Sequence, residues 1–510
     1  MEGNSVAGIS RKFGNRLAGC GAWRRGTIAA GMAVLLASCQ GIDVYPNRVD
    51  ESAFQPSNNP VTVDSVQRNN KLAALARAQH PRILATYGGE YSDPKLERMV
   101  AKVVGNLTTV AGNPGQAYRI TILNSPNVNA FALPGGYLYV TRGLLALAND
   151  SAELAAVLAH EMGHVTANHG IARQQAEAEA ELATKAATEL FGASPVAEVT
   201  ALRGKLRLAQ FSRNQELEAD VIGIRSAGQA GFDPYAAVRF LQSMAAYSNL
   251  RSVSGATDAS LDFLATHPNT PQRIDLAERH ARDIGAKGVG TVDRDAYLAG
   301  IDGLLFGDTA EEGYVRGHTF LHPELGVSFS VPQGFVIDNS AAAVTANGPG
   351  NIAIRFDGVA LQSSISLPDY LRSGWVTGLE PETIRTVTIN GNEAAIARAR
   401  ADNWQFDIAV IRAGSQVYRL LTAAPVASDK LETVARAVSD SFRLLSASEK
   451  AALKPLRIKI VTARAGDTVG SLASRMVGVD RKEELFRVLN GMPTGNQIPA
   501  GFKVKIVTDR

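Results

Sequence analysis

The chain has 510 residues, a formal net charge of +3 and 45% hydrophobic residues. This length exceeds what one hydrophobic core organises, so we expect several domains. Five basic residues and one acidic residue lie within 1–38, which leaves 47 basic and 48 acidic residues and argues against nucleic-acid or polybasic membrane partners.

The N-terminal region has the pattern of a secretory signal. Basic residues precede an apolar run of about a dozen residues ending at Ser38, which is too short to span a bilayer. The sequence Leu-Ala-Ser-Cys that ends at Cys39 resembles a bacterial lipobox, and Gln40 follows instead of the aspartate that commonly retains lipoproteins in the inner membrane. We expect a signal peptide over 1–38, lipidation at Cys39 and an outer-membrane lipoprotein facing the periplasm, with 39–62 as its tether.

The segment His-Glu-Met-Gly-His at 160–164 predicts a metal site. On a helix, residues i and i+4 share a face, so His160 and His164 can bind one zinc ion, with Glu161 beside them to move a proton. Asp150 and Glu153 form a capping pair at the predicted start of this helix. The alternative from the residues alone is a buried helix with two hydrogen-bonded histidines.

A catalytic zinc needs a third protein ligand. The segment 212–220, Ser-Arg-Asn-Gln-Glu-Leu-Glu-Ala-Asp, offers carboxylates within a second helical pattern. Glu216 and Asp220 are also i, i+4, the relation that a ligand carboxylate and a carboxylate supporting a zinc-bound histidine need. By spacing alone, without the first motif, a solvated acidic face would be the better interpretation of this pair. His169 is one residue out of step with the extended zinc-binding pattern, and we interpret it as a helix-end residue.

These two motifs together resemble the zinc metallopeptidases that include the heat-shock protease HtpX and the CAAX prenyl protease, and more closely the periplasmic lipoprotein branch typified by BepA and LoiP. The resemblance covers about 65–285. It implies a gluzincin with one Zn²⁺ bound by His160, His164 and Glu216. It also implies Glu161 as the general base and Asp220 as a supporting acid that is sometimes described as a proton donor.

Two further segments match the same family. Asn129, Ala130 and Phe131 begin a stretch that resembles its active-site edge strand, which would bind an extended substrate as an added strand. His267 and Arg273 resemble its His-Pro segment. His267 has two functional readings: with Arg273 it stabilises developing negative charge, or it occupies the fourth zinc position and keeps the enzyme latent. The sequence does not choose between them.

The predicted fold class is multidomain. We expect a mainly α (α+β) zincin protease domain over 63–299 and a glycine-rich linker over 300–317. Short strand patterns and one helix predict an α+β module of unknown role over 318–445, faintly similar to PsbP/DcrB domains. Residues 455–510 resemble a small β-α-α-β LysM domain, which implies peptidoglycan as a partner, although a purely structural copy fits equally well.

Two functions compete at this stage. The favoured one is a lipid-anchored periplasmic zinc metalloendopeptidase that hydrolyses misfolded or misassembled envelope polypeptides. The other is a peptidoglycan-docking chaperone or binding lipoprotein with a latent or structural metal site. The presence of Glu161 favours the enzyme, because a binding protein has no need of a general base.

Overall fold

The computed structural model describes residues 63–510 apart from 112–116, 192–194, 254–262, 264–266, 269–270, 340–342, 415 and 493. The predicted signal peptide, Cys39 and the tether lie outside the described residues. Among the helices that are described, none has the length and apolar character needed to cross a bilayer.

The first part of the described chain is mainly helical and surrounds one small sheet. The sheet has the order β1-β3-β2, with β1 parallel and β2 antiparallel to the central strand. The strands are β1 Arg119–Leu123, β2 Ala130–Leu133 and β3 Tyr137–Thr141. The helices are α1 Val63–Thr86, α2 Pro94–Thr108, α3 Arg142–Leu147, α4 Ser151–Thr166, α5 His169–Phe191, α6 Pro195–Gln229, α7 Ala236–Val253, α8 Pro271–Ile284 and α9 Arg294–Ile301.

Helix α4 is the central helix, and it starts where the sequence predicts. The Asp150 side chain accepts a hydrogen bond from Glu153 N at 2.7 Å, and Glu153 Oε2 accepts one from Asn149 N at 2.8 Å. The long helix α6 packs directly on α4. A Cβ at Gly223 would lie 2.8 Å from His160 N, so only glycine permits this close approach of the two backbones. The two predicted zinc-binding segments therefore face each other.

The middle of the chain forms two sheets, as the short strand patterns predict. Their orders are β15-β7-β6-β5 and β11-β12-β13-β14-β10-β9-β8. Helix α11 packs with one face of the large sheet and helix α10 with the other. Asn390 and Gly391 both have positive φ, as the predicted tight hairpin between β11 and β12 requires.

The strands of this region are β5 Tyr314–Arg316, β6 Thr319–His322, β7 Val327–Ser330, β8 Val336–Asn339, β9 Val344–Gly348, β10 Ile352–Ala360, β11 Leu379–Ile389, β12 Asn392–Ala401, β13 Trp404–Ala413, β14 Gln416–Pro425 and β15 Arg443–Leu444. The helices are α10 Leu367–Arg372, α11 Leu431–Ser441 and α12 Ala447–Ala452.

The C-terminal segment has the predicted β-α-α-β order. Its elements are β16 Leu456–Thr462, α13 Val469–Ala473, α14 Lys482–Leu489 and β17 Lys503–Thr508. It does not have a core of its own, because its buried residues form one hydrophobic cluster with those of α2, α3, α4 and α9. The LysM assignment itself stays a prediction.

The linker predicted over 300–317 is not a simple connector. Strand β4, Leu305–Phe306, pairs with β16, and Ile458 N donates to Leu304 O at 2.8 Å. The glycines that suggested a flexible linker instead serve turns: Gly303, Gly307 and Gly313 all have positive φ. The first and last parts of the described chain are thus joined through a shared sheet.

Lys505 on β17 lies at this junction and is fully buried. Its Nζ donates to the carbonyls of Ala146, Leu147 and Ala148 at 2.8, 3.0 and 2.8 Å. These carbonyls belong to the C-terminal end of α3, where helix carbonyls lack partners within the helix and a cation is favourable. Burial lowers the pKa of Lys505 to about 7.

Candidate metal centre

Four side chains from three parts of the chain converge beside α4. His160 and His164 from α4, Glu216 from α6 and His267 each offer one ligand atom, and these four atoms lie within 4.8 Å of one another. The Nε2 atoms of His160 and His164 are 3.0 Å apart, and each lies 3.5 Å from a carboxylate oxygen of Glu216. The helical i, i+4 spacing thus places both rings on one face, as predicted.

Glu161 lies next to this cluster without being part of it. The side chain is buried, and its Oε1 has no hydrogen-bond partner among the described residues. His267 Nε2 lies 3.5 Å from that oxygen. Burial raises the pKa of Glu161. A buried carboxylate with an open acceptor site is a suitable proton acceptor.

Asp220 lies on the Nδ1 side of His160, and Arg273 binds the Asp220 carboxylate. Asp220 Oδ1 is 2.9 Å from His160 Nδ1, the relation expected of a carboxylate that supports a metal-bound histidine. Arg273 donates two hydrogen bonds of 2.8 Å to the Asp220 carboxylate, and its Nη1 lies 3.0 Å from Glu216 Oε2. Burial raises the pKa of Asp220, but Arg273 and His160 outweigh it and the pKa is lowered.

Arg273 is buried, and its guanidinium is held by the carboxylates of Asp220 and Glu216. Asp220 accepts from Arg273 and lies against His160. These contacts favour positioning roles for both residues. The predicted roles of Arg273 beside an oxyanion and of Asp220 as a proton donor stay predictions.

The charges of the cluster fit a divalent cation. Glu161 and Glu216 are buried, Asp220 is nearly so, and all three carboxylates lie near the buried cation Arg273. With the carboxylates ionised and the histidines neutral, this set would carry two net negative charges. Buried charge without compensation is costly. Burial lowers the pKa of His160, but hydrogen bonds with Asp220 and Glu216 outweigh burial and raise the pKa to about 10. The carboxylates therefore favour a positive charge at this position. Imidazole and carboxylate ligands suit Zn²⁺.

Two backbone hydrogen bonds, through Phe263, connect His267 to Val128. His267 N donates to Phe263 O at 2.7 Å, and the two rings stack with centroids 4.3 Å apart. Phe263 N donates to Val128 O at 2.8 Å, just before β2. His267 Nδ1 lies 3.0 Å from Glu216 Oε2 and 3.3 Å from His160 Nε2. His267 therefore occupies a position at the cluster itself.

The predicted substrate strand lies at the edge of its sheet and against α4. Ala130 packs in the core that contains α4, whereas Phe131 points to the other face and stacks on Tyr139 with centroids 4.8 Å apart. Asn129 is buried and donates to Tyr87 Oη at 3.1 Å. Any contact of β2 with a substrate would thus use its backbone rather than the Phe131 side chain.

Sequence analysis missed one residue of this centre. His169, interpreted as a helix-end residue, is buried with its Nδ1 2.9 Å from His164 Nδ1. A signal was present, because Asn168 is a residue type that adopts the left-handed conformation at a helix end and turns the chain back.

Two histidines one turn apart, a carboxylate from a second helix and an adjacent glutamate define a zinc-dependent peptidase site. Residues 92–281 match Peptidase family M48. This match confirms the resemblance to the zinc metallopeptidases that was inferred from the two motifs.

Similar proteins include the mitochondrial metalloendopeptidase OMA1 of Schizosaccharomyces pombe, 30% identical over 42% of this chain and 61% of that one. The beta-barrel assembly-enhancing protease of Yersinia pestis is 34% identical over 38% of this chain and 40% of that one. Its Escherichia coli counterpart is 30% identical over 41% and 43%. The chain spans about two fifths to three fifths of the length of these relatives.

Proposed function

We propose that the protein is a zinc metalloendopeptidase that hydrolyses misfolded or misassembled polypeptides of the bacterial cell envelope. The observation that carries this proposal is the convergence of His160, His164 and Glu216 beside the buried Glu161. The names of relatives that act in β-barrel assembly support the envelope as the place of action.

When bound, zinc supplies a Lewis acid that polarises the scissile carbonyl and makes water more acidic. The remaining steps use the chain's own residues. Glu161 accepts a proton from the attacking water and passes it to the leaving amine, for which its raised pKa is suited. Asp220 and Arg273 hold His160 and Glu216 in place, so the ligand set does not need to reorganise during the reaction.

Substrate binding at β2 follows from its edge position. An extended peptide that pairs with β2 uses main-chain hydrogen bonds, and such binding selects backbone conformation more than side chains. Unfolded chains offer many such segments, whereas folded proteins keep most of their backbone paired and protect their edge strands. This is the physical basis for proposing misfolded polypeptides as substrates.

The proposal is tested with the purified protein. We expect it to contain one zinc per chain and to cleave casein, with loss of cleavage after chelation and recovery on addition of zinc. A protein that binds no zinc, or cleaves equally well without it, would refute the proposal.

The Glu216→Ala variant is expected to lose most of its zinc while remaining folded. Glu216 is the only anionic residue among the four candidate ligands, so its removal lowers metal affinity even with His267 in place, before it disturbs the core of α4 and α6. Metal analysis after dialysis, with circular dichroism to check folding, measures this. Full zinc occupancy in Glu216→Ala would show that another residue is the third ligand.

We further propose that His267 keeps the enzyme latent. Its Nδ1 lies among the ligand atoms, and its segment is tethered to Val128 next to the proposed substrate strand. In this arrangement His267 competes with water and substrate for one coordination position.

His267→Ala is therefore expected to raise basal casein cleavage with zinc retained. If His267 instead stabilises the oxyanion, the same change lowers kcat by about 10²–10³-fold. The two roles thus predict opposite signs in one rate measurement, provided that the zinc content is checked. A rate equal to that of the parent would eliminate both.

For the cellular location we propose a lipoprotein anchored through Cys39 to the outer membrane and facing the periplasm, on the lipobox resemblance given above. Cys39→Ser should then release the protein into the soluble periplasmic fraction, because acyl chains are the proposed anchor. Retention of Cys39→Ser in high-salt-washed membranes would overturn this assignment. Contact of 455–510 with peptidoglycan stays a prediction.

A further inference from the structure

His169 lies against the outer nitrogen of a predicted zinc ligand. It is the first residue of α5, and it is buried between α4 and α6. Its Nδ1 is 2.9 Å from His164 Nδ1, and its Nε2 is 3.2 Å from Glu218 Oε2. The side chains thus form a row, His164, His169 and Glu218, that leads away from the cluster.

The backbone holds His169 in this place from two sides. Asn168, at φ 56°, turns the chain directly after α4, so that α5 starts beside His164. Gln215 Nε2 donates to His169 O at 3.0 Å. Gln215 and Glu218 are i, i+3 on α6 and bind the backbone and the ring of the same residue. Helix α6 therefore presents one pair of side chains to the cluster and another pair to His169.

The hydrogen-bond pattern along this row follows from the role of His164. Its Nε2 is the atom that faces His160 and Glu216, so a neutral ring that binds metal there carries its proton on Nδ1. That N–H then donates to His169 Nδ1. His169 must in turn carry its proton on Nε2, and this N–H donates to the Glu218 carboxylate. Each ring thereby has one defined tautomer.

The two zinc histidines are supported in different ways. His160 Nδ1 has a carboxylate, Asp220, at 2.9 Å. Among the described residues, the outer nitrogen of His164 contacts His169 instead of a carboxylate, and His169 in turn contacts the Glu218 carboxylate. Partners of this kind fix ring orientation and raise the basicity of a ligand, and their loss typically weakens metal binding by about 10–100-fold.

We propose that His169 is a positioning residue that holds the tautomer and orientation of His164 for zinc binding, with Glu218 as the terminal acceptor. This inference rests on the proposed function, because it requires that the cluster binds zinc. His169 itself is not among the four candidate ligand residues.

Two substitutions at His169 separate positioning from packing. His169→Phe keeps the ring volume and removes both hydrogen bonds. His169→Asn is smaller, but its Oδ1 replaces Nδ1 as the acceptor for His164. We expect zinc affinity, measured by competition with a chromophoric chelator, to fall about 10–100-fold in His169→Phe and to recover most of this loss in His169→Asn. The visible spectrum of the Co²⁺-substituted protein should differ from that of the parent more in His169→Phe than in His169→Asn.

A purely structural role predicts the reverse order, because phenylalanine fills the space and asparagine leaves a cavity. Glu218→Gln provides a second test in case His169→Phe does not fold. Its amide oxygen still accepts from His169 without the charge, so we expect a smaller loss of zinc affinity than in His169→Phe. Glu177→Gln, an exposed change on α5, is the matched control and should keep parental affinity.

The outcomes distinguish this inference from the proposed function. If the parent binds no zinc, the proposed function fails. If the parent binds zinc tightly and His169→Phe and Glu218→Gln bind it equally well, only the positioning role of His169 is overturned. Equal losses in His169→Phe and His169→Asn would also overturn it.

Discussion

Glu161→Gln is expected to lower kcat for casein cleavage by at least about 10³-fold while leaving the zinc content unchanged. An amide accepts no proton from water, so the attacking nucleophile is not generated. Zinc should be retained because the candidate ligand atoms belong to His160, His164, Glu216 and His267, and Glu161 is not among them. The substitution is nearly isosteric, which limits its effect on packing.

The measurement combines steady-state cleavage with metal analysis on the same preparation. Glu177→Gln removes an equal charge from an exposed position on α5 and should retain parental activity. Undiminished cleavage in Glu161→Gln would exclude it as the base. A parent protein that binds zinc without cleaving any unfolded substrate would favour the alternative of a binding or chaperone lipoprotein.

Lys505→Met is expected to lower the free energy of unfolding by about 2–4 kcal/mol. The change keeps the length of the side chain but leaves three buried carbonyls, of Ala146, Leu147 and Ala148, without their common donor. Each buried acceptor left without a partner costs about 1–3 kcal/mol, and the removed desolvation cost of the ammonium offsets part of the sum. Denaturant unfolding of the purified parent protein and of Lys505→Met measures this change.

Lys459→Met on the neighbouring strand β16 is the matched control. Its side chain is half exposed, with Nζ 3.6 Å from Asp302 Oδ2, so we expect a change below about 1 kcal/mol. Equal effects of the two substitutions would show that the contact of Lys505 with α3 does not stabilise the junction. Because this junction borders α4, a parallel loss of zinc affinity in Lys505→Met is also expected.

Short-range patterns predicted much of the secondary structure. The capping pair Asp150 and Glu153, the Asn390-Gly391 hairpin and the alternating strands of the middle region all occur as expected. These features depend on residues within a few positions of one another, so the sequence contains the information directly. The β-α-α-β order of the last segment was predictable for the same reason.

The domain boundaries were not predictable in this way. Glycine content over 300–317 suggested a linker, yet Leu304 and β4 add to the sheet of β16 and β17. This pairing joins residues about 150 positions apart, and a local sequence pattern does not predict a strand partner at that distance. The burial of Lys505 was not predictable from the sequence either, because a lysine on a short strand normally indicates an exposed position.

For the site, the sequence by itself determined the chemical types and their helical spacing: His160 and His164 on one face, Glu161 beside them and the Glu216, Asp220 pair. Only the tertiary structure decided where each distant residue lies relative to them. It placed Arg273 behind Asp220, His267 at the cluster and His169 against His164. The physical reason is that spacing along a helix fixes the directions of the side chains of that helix only. Contacts between separate elements depend instead on how closely those elements pack. For α4 and α6, the close approach requires the glycine at Gly223.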